Sequence, residues 1–335
     1  MIRFKPERLQ EIFSSFQGQK IIVIGDLMLD EYLRGKVNRL SPEAPVPIIE
    51  IERETHHFGG AANVSFNLKT LGCQPVTIGL IGNDRAGKIL KDLLEENGMS
   101  TEGIVTHPEL PTTVKTRIIG DNQHIARVDR EKIRYEDSEI AAKLMERFDV
   151  LVEQASAVIL EDYNKGVLSV DLIRHVVQQA NRQNKIITVD PKFYNFLEFK
   201  NVTVFKPNLR ETAHALARPI ETDDDVRRAG RELLEKLQAK SVLITRGSRG
   251  MSLIEDNGDV NHIPTRTRKV ADVSGAGDTV ISTLTAALTG GALLKEAATI
   301  ANFAAGLVCE EVGIVPVEKD RLLRVIQENG LKSHA

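Results

Sequence analysis

Cysteine is scarce in this chain. Cys73 and Cys309 are the only two in 335 residues, far apart and in apolar surroundings. A disulfide framework is thereby excluded, and two buried, reduced thiols are expected, which suits a cytoplasmic protein. Long apolar runs are also missing. The longest uncharged stretch, Thr279 to Leu294, is short and is broken by Gly290 and Gly291. It reads as a pair of buried helices rather than a membrane span. The N-terminal "MIRFKPERLQEIFSSFQGQK" mixes charges with apolar residues and does not read as a signal peptide. No charge sign dominates: 44 Lys and Arg face 47 Asp and Glu, a net charge of −3. Neither nucleic acid nor an anionic membrane is indicated as a partner.

Several motifs are lacking as well. The first strand ends in "GDLMLD" without a G-x-G-x-x-G, so a dinucleotide-binding opening is poorly supported. No G-x-x-x-x-G-K-[ST] is present, and the eight histidines form no H-E-x-x-H or zinc-spaced set. "ETDDD" (221–225) is read as an acidic helix N-terminus, because adjacent carboxylates point in different directions.

What remains is an alternation of strands and helices. "IIVIG" (21–25) and "PVTIGLIG" (75–82) are apolar, β-branched and end in glycine, as buried strands do. "GGAANVSFNLKTLG" (59–72) reads as a helix between glycines, and 84–97 as another. Strands over 157–160, 186–189, 202–206 and 241–245 alternate with helices over 137–153, 169–183 and 208–238. Strands near 250–255 and 259–263 would make an antiparallel edge, and helices near 277–289, 294–310 and 317–328 would close the chain. The pattern predicts an α/β fold with a mainly parallel sheet covered on both faces. "PVPIIEIE" (45–52) and a hairpin over 113–128, turning at Gly120-Asp121-Asn122, do not fit the buried-strand style. They are expected to form a small sheet standing off the main one, as a lid does.

"DVSGAGDT" (272–279) is the densest candidate for chemistry. If Gly275–Gly277 turn into a helix, its first N–H groups and dipole offer an anion pocket. Asp278 beside that pocket can take a proton from a hydroxyl. On the octapeptide alone, a glycine turn with an aspartate cap explains the residues equally well. "KPNLRE" (206–211) sets Asn208 and Glu211 three apart, either to orient phosphates and hydrated Mg²⁺ or as a helix cap. "LITRGSRG" (243–250) ends a strand in Thr245 before Gly247, either at a ligand edge or as a hairpin turn. "EDYNKG" (161–166) and "DPK" (190–192) each put an acid and a lysine just past a strand end.

In this order, the segments resemble the PfkB sugar-kinase family with its ribokinase-like fold. "GGAAN" and "DVSGAGDT" match its two signature regions, and "NLRE" its N-x-x-E motif. "GDLMLDEYLRGKVNRLSPEAPVP", "FGGAANV", "DYNKG", "DPK" and "DVSGAGDTVI" resemble the heptose kinase branch. The short spacing in "GGAAN" is a feature of that branch.

The resemblance implies one ribokinase-like kinase domain over 1–335, with lid segments near 32–57 and 111–131. It implies ATP-dependent phosphorylation of D-glycero-D-manno-heptose 7-phosphate at O1, toward ADP-heptose for lipopolysaccharide cores. Another sugar or sugar phosphate of the same family is the alternative, and a non-catalytic nucleotide- or sugar-binding regulator a remote one. Asp278 becomes the catalytic base, with the N–H groups of Gly275, Ala276 and Gly277 as anion hole. Asn208, Glu211, Thr245, Gly247 and Asn302 serve ATP, with Glu211 holding Mg²⁺ through water. Asp30, Gly59, Gly60, Asn63 and Asp162 bind the sugar, and Lys165, Lys192, Lys115, Arg117 and Arg127 are candidates for its phosphate. Asp272 and Ser274 match positions that hold a monovalent cation, K⁺, in some relatives. A homodimer through the lid sheet is implied too. The chain ends at Ala335, so adenylyl transfer downstream would need a separate nucleotidyltransferase.

Overall fold

The computed structural model describes residues 2–121, 123–133, 138–265 and 270–331. Asn122 of the expected hairpin turn and Asp137 of the expected helix lie outside the described residues. The chain opens with α1 (Pro6–Ser14), β1 (Lys20–Gly25), β2 (Leu27–Leu40), β3 (Pro47–Gly60), α2 (Ala61–Thr70), β4 (Gln74–Gly82) and α3 (Arg85–Glu96). β5 (Ile104–His107), β6 (Thr113–Gly120), β7 (Gln123–Arg130), α4 (Ser138–Val152), β8 (Ala157–Glu161), α5 (Val170–Arg182), β9 (Ile186–Asp190) and β10 (Val204–Phe205) follow. The rest is α6 (Leu209–Ala215), α7 (Asp223–Leu237), β11 (Ser241–Thr245), β12 (Met251–Glu255), β13 (Val260–Ile263), α8 (Ala276–Thr289), α9 (Leu294–Val308) and α10 (Lys319–Leu331).

Nine strands form the main sheet in the order β13-β12-β11-β10-β9-β8-β1-β4-β5. Neighbours from β11 to β5 run parallel, while β12 and β13 add the expected antiparallel edge. Both faces are covered, which is why central strands such as β1, β8, β10 and β11 are buried along almost their whole length rather than in alternation. One apolar layer joins α1, α2, α3, α8, α9 and α10 to the sheet, with Phe13, Leu68, Leu90, Ile281, Ile300 and Leu322 buried. The other joins α4, α5 and α7, with Phe148, Val176, Leu233 and Phe205 buried. Truncating Phe205 to alanine is worth about 3–5 kcal/mol on this account. α8 is buried along most of its length, from Asp278 to Ala287, matching its uncharged sequence.

A second, four-stranded sheet has the order β3-β2-β6-β7. Its β2 spans Leu27–Leu40, which the sequence reading did not assign to a strand. Only the first half of β2 is buried; charges along "EYLRGKVNRL" obscure the alternation. β3 likewise runs to Gly60, so the glycine pair ends a strand, and the helix starts at Ala61 rather than at 59. α1, also unassigned from sequence, starts with Pro6 at its first position and buries Leu9, Ile12 and Phe13. Cys73 is buried, but Cys309 is only half-buried.

Candidate functional site

Parallel strands deliver their carboxyl ends to one edge, the usual ligand edge of an α/β sheet. β1 is followed by Asp26, and β8 ends in Glu161 before Asp162 and Tyr163. β9 ends in Asp190, β10 leads into Lys206, and β11 ends in Thr245. The register sets Gly25 opposite Glu161, and Glu161 opposite Asp190. α8 enters this edge through Gly275, whose φ of 77° is left-handed and favours glycine.

Asp278, in the first turn of α8, is 4% exposed. Its Oδ2 accepts from Asn63 Nδ2 at 2.7 Å, and its Oδ1 from the Tyr163 hydroxyl at 2.7 Å. Burial pushes its pKa up to about 6, against the Asn63 and Tyr163 hydrogen bonds, which lower it. A helix N-terminus alone would keep this carboxylate ionised, a weak base. Burial makes this one a stronger base, still mostly charged at pH 7. Of the three N–H groups expected to form an anion hole, that of Ala276 donates to the Val273 carbonyl at 3.3 Å. Those of Gly275 and Gly277 have no backbone acceptor among the described residues.

Around Asp278 lie groups from the strand-end segments "EDYNKG", "DPK" and "KPNLRE" that carry no assigned role in the sequence analysis. Glu161, Asp190 and Asp278 bring one carboxylate oxygen each within 4.8 Å of the others. Lys206 pairs with Asp190 at 2.6 Å. Burial first, then Asp190 and Asp278, push the Glu161 carboxyl well above the usual range. Tyr163 is raised too, by burial and by Asp278. The available signal is positional: Glu161, Asp190 and Lys206 end a predicted strand or follow one directly, and Tyr163 comes two residues after Glu161.

Asp26 explains the shape of the "EDYNKG" loop. Its carboxylate accepts from the backbone N–H groups of Tyr163, Lys165 and Val167, at 2.7, 3.0 and 3.1 Å. Asp162 closes a turn within the same loop, accepting from the Asn164 N–H at 2.7 Å. Burial and the nearby Asp26 raise its pKa to about 7. Gly60 carries the chain past this point at φ 58°, where a Cβ would lie 2.3 Å from the Asp26 carbonyl oxygen.

The other predicted residues divide between neighbouring clusters. Asn208 and Glu211 form a reciprocal helix cap: Glu211 Oε2 accepts from the Asn208 N–H at 2.8 Å, and Asn208 Oδ1 from the Glu211 N–H at 2.9 Å. Lys192 joins them, with Nζ 2.5 Å from Glu211 Oε1. Burial works against the Lys192 ammonium, but Asp190 and Glu211 hold its pKa above the ordinary lysine range. Lys192 Nζ also lies 5.3 Å from the Tyr163 ring centroid, so this lysine borders both the residues assigned to the nucleotide and the sugar-phosphate set. Thr245 bridges to Asn208, and Gly247 begins a short 3₁₀ turn joining antiparallel β11 and β12. Asn302 lies behind this edge, its Nδ2 donating to the Pro264 carbonyl at 2.9 Å.

The four-stranded sheet supplies a cationic row. Arg117 pairs with Asp30, and Gly59 lies against the Asp30 carboxylate. Lys115 sits over the Tyr163 ring, 5.2 Å from its centroid. Arg127 stands opposite Arg117 in the register but is exposed and paired with Asp129 at 2.9 Å. Lys165 pairs with Glu131 at 2.7 Å. Asp272 accepts from the Ser274 and Gly313 N–H groups at 2.9 and 3.1 Å. Burial opposes its charge, but these donors hold its pKa below the usual carboxylate value.

Residues 18–320 match the model of the pfkB family carbohydrate kinases. The chain is 38% identical over 323 residues to "Bifunctional protein HldE" of Paramagnetospirillum magneticum, covering 96% of this chain and 66% of that protein. It is 39% identical to the protein of the same name from Desulfatibacillum aliphaticivorans, with the same coverage of 96% and 66%. The chain therefore spans about two thirds of the length of these curated relatives. Among solved structures it is similar to Arabidopsis thaliana ribokinase complexed with ribose and ATP, with a TM-score of 0.73 at 18% identity, covering 93% of this chain and 99% of that one. Phosphofructokinase-2 from Escherichia coli in complex with potassium gives a TM-score of 0.75 at 18% identity, with the same coverage of 93% and 99%. The fold is ribokinase-like.

Proposed function

The chain belongs to the pfkB family of carbohydrate kinases, and from that premise we propose that it phosphorylates D-glycero-D-manno-heptose 7-phosphate at O1 with ATP. The observation that carries the kinase chemistry is Asp278, buried at the start of α8 with both carboxylate oxygens fixed by Asn63 and Tyr163. Support for the substrate comes from the heptose-branch motifs and the curated relatives. The cationic row of Lys115, Arg117 and Arg127 on the second sheet adds to it.

In this reading the sugar lies between Asp30, Gly59, Gly60 and Asn63 on one side and Asp278 on the other. Asp278 orients the anomeric hydroxyl and accepts its proton as the phosphoryl group arrives in line. The free N–H groups of Gly275 and Gly277 offset charge on that group. Asn208, Glu211 and Thr245 hold the phosphate side of ATP. Mg²⁺, when bound, would neutralise phosphate charge. Glu211 and Asn208 are oxygen donors suited to it, and since Lys192 and the Asn208 N–H already engage the Glu211 carboxylate, a water-mediated contact fits best. Asp272 and Ser274 are assigned to a monovalent cation.

The four-stranded sheet acts as the lid, covering the reaction and excluding water. Its exposed Leu40, Ile51, Ile125 and Val128 support a homodimer built on that sheet. No helix of the described residues is long and apolar enough to cross a membrane. ATP and a phosphorylated sugar as substrates support a cytoplasmic location.

The test is ATP consumption measured across heptose 7-phosphate, fructose 6-phosphate, ribose and unphosphorylated heptose. Preference for heptose 7-phosphate is expected, with the bisphosphate as product. Faster turnover of a ketohexose phosphate would move the assignment to that substrate, and no turnover with any sugar would remove it.

A further inference from the structure

Away from the kinase site, the opposite face of the second sheet carries a compact set of metal-type ligands. Glu31 follows Asp30 in β2, so its side chain points to the other side of the sheet. Its cross-strand partner is His56 in β3, and Glu54 lies two residues before His56, on the same face. His56 Nε2 is 3.4 Å from Glu31 Oε1 and 3.2 Å from Glu54 Oε1. Neither approach has hydrogen-bond direction, and the buried Nε2 is without a hydrogen-bond partner. One ligand atom from each residue lies within 4.8 Å of the others.

These separations suit a shared ion. Two atoms each about 2.0–2.1 Å from a tetrahedral zinc lie about 3.3–3.4 Å apart. The remaining oxygen of Glu31, Oε2, accepts from the Thr116 hydroxyl at 2.6 Å. That bond turns Oε1 toward the imidazole, as outer hydrogen bonds orient carboxylate ligands in metal sites. The nearby Arg85 guanidinium is 3.9 Å from Glu54 Oε1 on a side chain 84% exposed, so it can swing aside.

We propose that Glu31, Glu54 and His56 bind one divalent transition-metal ion of the zinc class, with solvent completing the coordination. One imidazole and two carboxylates favour zinc over magnesium, which takes oxygen ligands. The ion clamps β2 to β3. Asp30 and His57, the next pair in the register, lie on the sheet's other face, so the clamp stiffens the strands that carry Asp30.

The full chain, stripped by dialysis against a chelator, is titrated with Zn²⁺ in competition with a chromophoric chelator. One tight equivalent is expected, unaffected by millimolar Mg²⁺. His56→Ala and Glu54→Gln, both at partly exposed positions, weaken it at least tenfold. Thr116→Val weakens it about 10- to 100-fold through Glu31. Asp278→Asn retains it, which separates this site from the buried Glu161, Asp190 and Asp278 carboxylates. The proposal fails if no equivalent binds, in which case the three residues form an ion-pair network only. It fails equally if His56→Ala and Glu54→Gln, with wild-type circular dichroism and melting, bind zinc as tightly as the parent.

Discussion

The Tyr163 hydroxyl donates to Asp278 Oδ1 at 2.7 Å, joining the loop after β8 to the first turn of α8 across 115 residues of sequence. Asn63 holds the other carboxylate oxygen from α2. The carboxylate is therefore oriented before any substrate arrives, which lowers the reorganisation needed at the moment of transfer. Burial and hydrogen bonding act on it in opposite directions. Burial prevails and sets its pKa near 6.

That balance fixes a pH dependence. A base with a pKa of about 6 is active when deprotonated, so kcat should fall below an acid limb near pH 6. An exposed aspartate would place the limb near 4. Asp278→Asn should lose about 10²- to 10⁴-fold in kcat while ATP binding by calorimetry is kept. The stability sign runs the other way. A folded pKa raised above the unfolded value favours folding at low pH, and that contribution is lost as pH rises from about 4 through about 6. The charged carboxylate thus costs up to about 3 kcal/mol at pH 8, so Asp278→Asn should melt no lower than wild type there. Near-wild-type kcat in this variant would remove Asp278 from the role of base.

Tyr163→Phe isolates one of the two hydrogen bonds. A donor to a charged group is worth about 1.5–3 kcal/mol, so its loss should move the acid limb upward by about one pH unit or more. The change in kcat at pH 8 should be smaller than at pH 6.5. A limb that stays in place would mean that the hydroxyl does not stabilise the charged form.

Much of this architecture is legible in the sequence because burial on two faces writes simple patterns. The strand over 241–245 matches the structure residue for residue, and α3, α5 and α8 fall within about one residue of the predicted helices. β2 does not, since its outer half is exposed and charged and its backbone pairs not only with the next strand, β3, but also with β6 far along the chain. The site is legible where a motif fixes local geometry, as at Asn208 and Glu211, whose cap needs only the spacing of three. Tyr163 and Asp26 are not, because their roles depend on hydrogen bonds between strand ends that only the folded sheet brings together. Lys192, a candidate for the sugar phosphate as a cation past a strand end, pairs with Glu211 and also sits over the Tyr163 ring, two contacts that its place in the sequence does not reveal.

Asp26→Ala tests the support beneath the site. The change leaves three backbone N–H groups of the loop without their acceptor. An unsatisfied buried donor costs about 1–3 kcal/mol, so a loss of about 3 kcal/mol or more in urea unfolding is expected. kcat should drop as well, because Tyr163 is no longer held toward Asp278. Asp26→Asn keeps an acceptor oxygen and should recover part of both. Equal losses in the two variants would mean that the negative charge, not the hydrogen bonds, organises the loop.

Lys115 separates sugar-phosphate binding from nucleotide binding. Among the described residues it makes no ion pair, and burial lowers its pKa despite the nearby Asp30. Arg117, by contrast, is already paired with Asp30, and Arg127 with Asp129. A partly desolvated ammonium over the Tyr163 ring has the most to gain from an arriving phosphate. Lys115→Met should therefore raise KM for the phosphorylated sugar about 10- to 100-fold, the equivalent of one charge-assisted hydrogen bond, with KM for ATP unchanged. The lowered pKa gives a further sign. As the ammonium loses its proton at a lower pH than an exposed lysine, sugar-phosphate KM in the wild type should rise on the alkaline side while the variant stays flat. Arg127→Ala, at an exposed and paired position, should change KM by less than the Lys115 variant. If the ATP KM rises in parallel in Lys115→Met, the lysine serves the shape of the site and not the substrate phosphate.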